Sequence, residues 1–252
     1  MQELFTAICY QPLLNLLIWI YNVLPNHDLG LTIIILTILV KLILYPLSWK
    51  QLVSQKQLQD IQPKIEELKE RYKDDKQGLA QAQMKFFQEE KINPMASCLP
   101  LLVQLPFLIA LFYVFSNGLK DNGYANLLYP FVQNPGALNH TLLGWFSLSQ
   151  GQNIILALAT AGAQFWQSKL MTAKRPPKVP GAKDEDMAAM MSKQMLFFMP
   201  IITGVMTYQF PSGLGVYWFF QTVLAIGQQY LFNMRTQRSK PSVEVLASAK
   251  SE

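Results

Sequence analysis

From Gln194 to Met234 the chain runs 41 residues without an Asp, Glu, Lys or Arg. A helix rises about 1.5 Å per residue and a bilayer's hydrocarbon core is about 30 Å thick, so roughly 20 residues cross it. That run therefore has the length of two spans, and Pro211-Ser212-Gly213-Leu214-Gly215 near its middle is suited to a tight reversal. Three more stretches behave alike. Leu29–Trp49 holds the single charge Lys41, and Ile92–Leu119 and Asn122–Ser168 hold none.

Composition agrees with this pattern. Only 15% of the 252 residues are charged and 51% are hydrophobic, against about a quarter charged in ordinary soluble domains. Such a chain is neither a typical soluble enzyme nor a disordered one. Five spans are predicted, at 30–49, 97–117, 152–171, 193–210 and 213–234. Runs such as Leu31–Val40 do not alternate as barrel strands would, so the spans are helices. The fold class is all-α, a polytopic membrane protein.

Basic residues set the orientation. Segment 50–95 carries nine Lys/Arg, 169–193 carries six and 235–252 carries four, whereas 1–29 and 118–151 share only Lys120. The first group is therefore cytoplasmic, including the loop 172–192 and the tail 235–252, and the second is external. Loop 118–151, aromatic and almost uncharged, is expected against the membrane surface. Segment 1–29 lacks the basic start of a signal peptide, and Pro12 interrupts its apolar run. It could be a sixth span or an amphipathic interfacial helix. Gln11, Asn15 and Asn22, on roughly one helical face, favour the interfacial reading.

Within 50–95, Ile61, Ile65, Leu68 and Tyr72 repeat at helical spacing, as do Ala80, Met84 and Phe87 beyond the break 73–78. Two such helices read as an antiparallel hairpin, with Pro63 kinking the first or starting a new one. Basic and acidic residues nearly cancel there, which argues against nucleic acid as a direct ligand. In the second cytoplasmic segment the loop Lys174–Gly181 leads into Met187, Met190, Met191, Met195 and Met199. Thioether surfaces of this kind adapt to varied partners or fill helix contacts.

Lys41 is the one charge inside a span. Such a residue costs about 2.5–3.5 kcal/mol on insertion scales, which makes it a functional candidate. No span contains Asp or Glu to pair with it, so Lys41 requires water and marks a hydrated cavity open to the cytoplasm. Snorkelling to the headgroups is the structural alternative. Thr37, Gln104, Gln164, Gln221 and Gln228 could line the cavity, or could be hydrogen bonds that hold the bundle. Pro100, Pro106 and Pro200 kink their spans.

Two cysteines, Cys9 and Cys98, and two distant histidines, His27 and His140, build no disulfide framework and no metal site. No cofactor is expected. No carboxylate pair suggests a proton relay, and no Ser/His or Asp/Asp pair suggests intramembrane proteolysis. A positive, wet groove that attracts a client's acidic or polar segment is what remains. The alternative is a channel or small-solute transporter that uses the same groove.

Ordered motifs narrow this further: Gln11-Pro12-Leu13 with Trp19-Ile20, Ile33–Pro46 around Lys41, Gln62-Pro63-Lys64-Ile65, and Asp74-Asp75-Lys76-Gln77. They continue with Lys91-Ile92-Asn93-Pro94, Cys98–Pro106, Phe198-Met199-Pro200, Phe210–Leu214 and Tyr217-Trp218. From about Gln11 to Arg235 the chain resembles the YidC/Oxa/Alb family of membrane protein insertases.

The resemblance implies a five-helix core in the bacterial cytoplasmic membrane. It also implies a cytoplasmic hairpin between the first two core helices, an outer interfacial helix before them, and an external N-terminus. A client's hydrophilic tail would enter the groove, drawn by Lys41, while its apolar helix slides into lipid without covalent chemistry. Thr37, Tyr217 and Trp218 match positions along the client path. Nascent membrane proteins and the bilayer are the implied partners, with the ribosome and the Sec translocon as further candidates.

Two departures stand out. The family's groove residue is commonly Arg, and a Lys keeps its charge there only if the groove is hydrated. This sequence also carries no large external domain.

Overall fold

A computed structural model describes residues 2–72, 75–92, 99–118, 124–171 and 187–238 of the chain. Helix dominates them. Helices α1 (Gln2–Phe5) and α2 (Gln11–Val23) are joined by the π-helical turn Thr6–Tyr10, and α3 (Leu29–Ile43), α4 (Tyr45–Asp60), α5 (Gln62–Arg71) and α6 (Lys76–Glu89) follow. Next come α7 (Leu99–Tyr113), α8 (Ile154–Met171), α9 (Met187–Gln209) and α10 (Ser212–Arg238). The only strands among the described residues, β1 (Thr141–Leu142) and β2 (Phe146–Ser147), form one antiparallel hairpin with Leu142 opposite Phe146.

The continuous helix expected over 30–49 breaks at Leu44, where α3 and α4 meet at 65°. Pro46 explains the break. It sits in the first turn of α4, has no N–H to continue the α3 ladder, and its ring would clash with the carbonyl four residues back. Ile61 separates α4 from α5 in the same way, with Pro63 in the first turn of α5.

Among the described residues, length and apolarity single out Glu3–Val23 as a helix able to cross a membrane, with the bent pair α3–α4 as a second candidate. Gln104–Ser116 and Leu196–Gln209 are the apolar stretches of α7 and α9 whose side chains are described, while α8 and α10 are diluted by Thr160, Gln164, Gln167, Gln221, Gln228 and Gln229.

α10 is central. It packs along α3, α8 and α9, while α2 lies on α3 and touches α7. The core between them is largely aliphatic, built on Leu14, Leu17 and Ile18 of α2, Ile33 and Leu36 of α3, Leu111 of α7 with Val114 just beyond it, and Leu214 of α10.

Amide side chains of the N-terminal helix reach the loop 124–153. Gln11 Nε2 and Asn15 Nδ2 donate to the Leu127 carbonyl at 3.1 and 2.9 Å, and Asn22 Nδ2 donates to that of Gln133 at 2.7 Å. The face that favoured an interfacial helix is thus occupied by protein. Tyr21 closes the same contact, its hydroxyl accepting from the Asn139 N–H at 2.8 Å. Asp28 caps α3 by accepting from the Leu31 N–H at 2.8 Å. Its other oxygen accepts from the Leu143 N–H at 2.6 Å and draws the hairpin onto the helix start. Gly30 permits this approach, because a Cβ there would overlap the Cβ and backbone of Leu142.

At the opposite end, α5 and α6 pack together, and Lys64 pairs with Glu90 at 2.7 Å. Ile61 and Ile65 are buried as their spacing predicts, but Tyr72 and Met84 are exposed. Burial pulls the Lys69 ammonium below the usual lysine range, against the opposing pull of Glu66. Trp49 of α4 stacks edge-on against Phe232 of α10 at 5.0 Å, with the Arg235 guanidinium 5.5 Å from its ring. Gln59 Nε2 donates to the last carbonyl of α8, Met171, at 2.7 Å. Residues 73–74, 93–98, the loop around Lys174–Gly181 and the tail beyond Arg238 lie outside the described residues, as do the side chains of Pro100, Met187, Met190, Met191 and Met195.

Candidate functional site

Lys41 sits near the end of α3, twelve residues beyond Leu29 and so about 18 Å along the axis. It is partly buried, and Leu42 and Ile43 beside it are exposed. Among the described residues it has neither an ion-pair partner nor a hydrogen-bond partner. The reason is local: α3 contains no acidic residue, and α10, packed along it, contains none either.

Thr37 lies one turn before Lys41 on the same face. It is fully buried, and its hydroxyl donates to the Ile33 carbonyl of its own helix at 2.6 Å. Thr160 and Thr222 bond back to their helices in the same way, at 2.8 and 2.9 Å. This satisfies a hydroxyl where no water competes.

Three of the sequence candidates meet. Gln104 Nε2 of α7 donates to the Tyr217 hydroxyl oxygen of α10 at 2.5 Å. Gln221 Nε2, one turn further along α10, donates to Gln104 Oε1 at 2.7 Å. Tyr217 is buried, and Gln104 and Gln221 are partly so. These bonds bridge two helices across an apolar interior, where a polar group needs a partner.

The other candidates stand apart from this trio. Gln164 is partly buried on α8, and no hydrogen bond among the described residues links it to the three. Trp218, partly buried, uses its carbonyl to accept from Thr222. Gln228 shares the α10 face of Tyr217 and Gln221 by helical spacing.

Among the described residues, three buried side-chain polar atoms have no partner: Gln221 Oε1, Gln228 Nε2 and Thr207 Oγ1. Thr207 of α9 carried no signal in the sequence, being one threonine in an apolar run. Asp28 did carry one, since an acidic residue immediately before an apolar helix marks an N-cap. Trp49 and Gln59, which tie α4 to α10 and α8, had none, because their partners are more than 100 residues away.

Comparison with known proteins gives these positions a context. Residues 19–240 match the family model described as 60Kd inner membrane protein. The chain is 36% identical over 204 residues to the membrane protein insertase YidC of Fusobacterium nucleatum, covering 81% of this chain and 85% of that protein. It is 34% identical over 212 residues to the protein of the same name from Oceanobacillus iheyensis, covering 82% and 75%. With that of Actinobacillus pleuropneumoniae serotype 3 it shares 34% identity over 224 residues, 88% of this chain. There it spans only 36% of the relative's length, and several similar relatives are equally long.

Proposed function

The chain belongs to the family of the 60Kd inner membrane protein, and on that premise we propose that it is a membrane protein insertase and chaperone. Its α3, α7, α8, α9 and α10 cross the bacterial cytoplasmic membrane as a five-helix core. The paired α5 and α6 stand on the cytoplasmic side, and the N-terminal helix with loop 124–153 covers the outer side. A groove open to the cytoplasm runs past Lys41, with Thr37, Gln104, Gln164, Tyr217, Trp218 and Gln221 along the client path. A client's hydrophilic tail enters the groove while its apolar helix leaves sideways into lipid. No covalent step is involved. Nascent membrane proteins are the substrates, and the ribosome and the Sec translocon are candidate partners for their delivery.

One observation carries this reading: a Lys without an ion-pair partner among the described residues, on a helix otherwise free of charge. Magnitudes show what it can do. Placing an acidic residue at the middle of a membrane costs about 2.5–3.5 kcal/mol. An opposite charge about 4 Å away recovers about 4 kcal/mol at an effective dielectric of about 20. A single Lys therefore offsets the transfer of roughly one acidic group. Water keeps that Lys charged but also screens it, so the groove must be wet enough to hold the charge and narrow enough for the charge to act.

Reconstitution tests the reading. Liposomes holding the purified chain should insert a newly translated single-span protein with a short acidic N-terminal tail, and empty liposomes should not. Equal insertion in both, or ion flux without any client, would contradict it.

A further inference from the structure

Gln104, Leu108, Leu111 and Phe115 lie along one face of α7 and the turn after it, by their helical spacing. Its outer end is anchored by aromatic contacts. The Phe115 ring lies over Gly213, where a Cβ would come within 2.8 Å of its Cε1, and Phe112 stacks edge-on against Phe210 at 5.2 Å. Its inner half meets α10 through the Gln104 hydrogen bonds to Tyr217 and Gln221. Pro106 lies between the two halves and cannot donate to the carbonyl four residues back, so the helix can bend there. Leu105, Ile109 and Tyr113 form the opposite face and are all exposed.

The three polar groups cannot satisfy one another. As they stand, the Gln221 oxygen is buried and has no partner among the described residues. Turning both amides over makes the Tyr217 hydroxyl donate to Gln104 and pairs the Gln221 oxygen with the Gln104 amino group. The Gln221 amino group is then the one left without a partner. One amide group at the inner end of the trio is therefore unmet in either arrangement, although buried polar groups are generally paired.

We infer that Gln104, Tyr217 and Gln221 form a separable latch that closes the seam between α7 and α10. The inference rests on the insertase reading and gives the groove a lateral exit. A polar backbone or side-chain group of the client bonds the unmet Gln221 amide and then displaces Gln104. The inner half of α7 swings about Pro106 while its aromatic outer end stays fixed. Two neutral hydrogen bonds suit this role because their net strength is small and the client's polar groups can replace them.

The test bridges the latch. Gln104→Cys and Gln221→Cys are introduced with Cys9→Ser and Cys98→Ser, and the thiols are joined by a short, reducible bis-methanethiosulfonate. In proteoliposomes given the acidic-tailed single-span client, bridging should lower insertion about tenfold or more, and reductant should restore it. A bridge at Phe112→Cys and Phe210→Cys, across the end that stays fixed, should lower it by less than about threefold. Unchanged insertion with the latch bridged, or equal arrest by both bridges, overturns the latch and leaves the insertase reading intact. Should the reduced latch pair itself be inactive, hydrogen exchange on the wild-type chain decides. Client addition should speed exchange over 99–106 but not over 107–115, and no change over 99–106 overturns the inference. A wild-type chain that inserts nothing overturns the insertase reading and the latch with it.

Discussion

Asp28 binds the backbone amide of Leu143, 115 positions further along the chain, at 2.6 Å, while its other carboxylate oxygen caps α3. One buried side chain thus fixes both the start of the helix that carries Lys41 and the hairpin that lies on it. Asp28→Ala removes a cap and a charge-assisted hydrogen bond, and should cost about 2–4 kcal/mol. Asp28→Asn keeps one acceptor oxygen and should cost less. Thermal unfolding in detergent gives the order, and an Asp28→Ala protein as stable as wild type would contradict it.

His140 tests the loop by pH. Partial burial holds its imidazole below the usual histidine range, so the folded loop favours the neutral ring. The unfolded chain takes up the proton first as pH falls. Stability from this group is therefore present above about pH 6.5 and declines as pH drops from there towards the lowered folded value. Hydrogen exchange over 137–148 should quicken through that window, and His140→Gln should flatten the change. An identical pH dependence in His140→Gln would refute the assignment.

Close approach gives a third prediction. Gly30→Ala places a methyl group against the Cβ and backbone of Leu142, where a backbone must move to make room. A loss of about 1–3 kcal/mol is expected from such overpacking, with faster exchange in the β1–β2 hairpin. Retention of wild-type stability would mean that the hairpin does not sit on α3 as described.

At the other end of the bundle, Trp49 joins Phe232 and Arg235. Trp49→Ala should lose about 1–2 kcal/mol from the aromatic pair and the cation–π contact, beyond the area buried. Trp49→Phe should keep part of this. Equal melting temperatures for the Ala and Phe variants would show that neither contact contributes.

Much of the helical character was legible because charge and apolar length are local properties of a sequence. Lys41 stood out as the one basic residue in a long apolar run, whereas the α3–α4 bend was missed although Pro46 carried its signal. Pairings between distant elements were not legible. Gln11, Asn15 and Asn22 read as a water-facing stripe because their partners, Leu127 and Gln133, lie more than 100 residues away. Gln104 and Gln221 were recognisable as polar groups in apolar surroundings, and Tyr217 came only from the family resemblance. Their linkage depends on how α7 lies against α10, which no periodicity encodes. Asp28 was overlooked for a different reason. As a cap it stands one residue before α3, outside the apolar run in which Lys41 is conspicuous.

The most direct test of the account concerns Lys41. Proteoliposomes with wild-type, Lys41→Ala or Lys41→Arg protein are given two single-span clients that differ only in one Asp of the N-terminal tail. Lys41→Ala should reduce insertion of the acidic-tailed client about tenfold or more, since the lost attraction is worth more than 1.4 kcal/mol. Lys41→Arg should retain it, and the neutral-tailed client should depend far less on the residue. Insertion of the acidic-tailed client by Lys41→Ala at the wild-type rate would contradict the proposal that this charge draws the client into the groove.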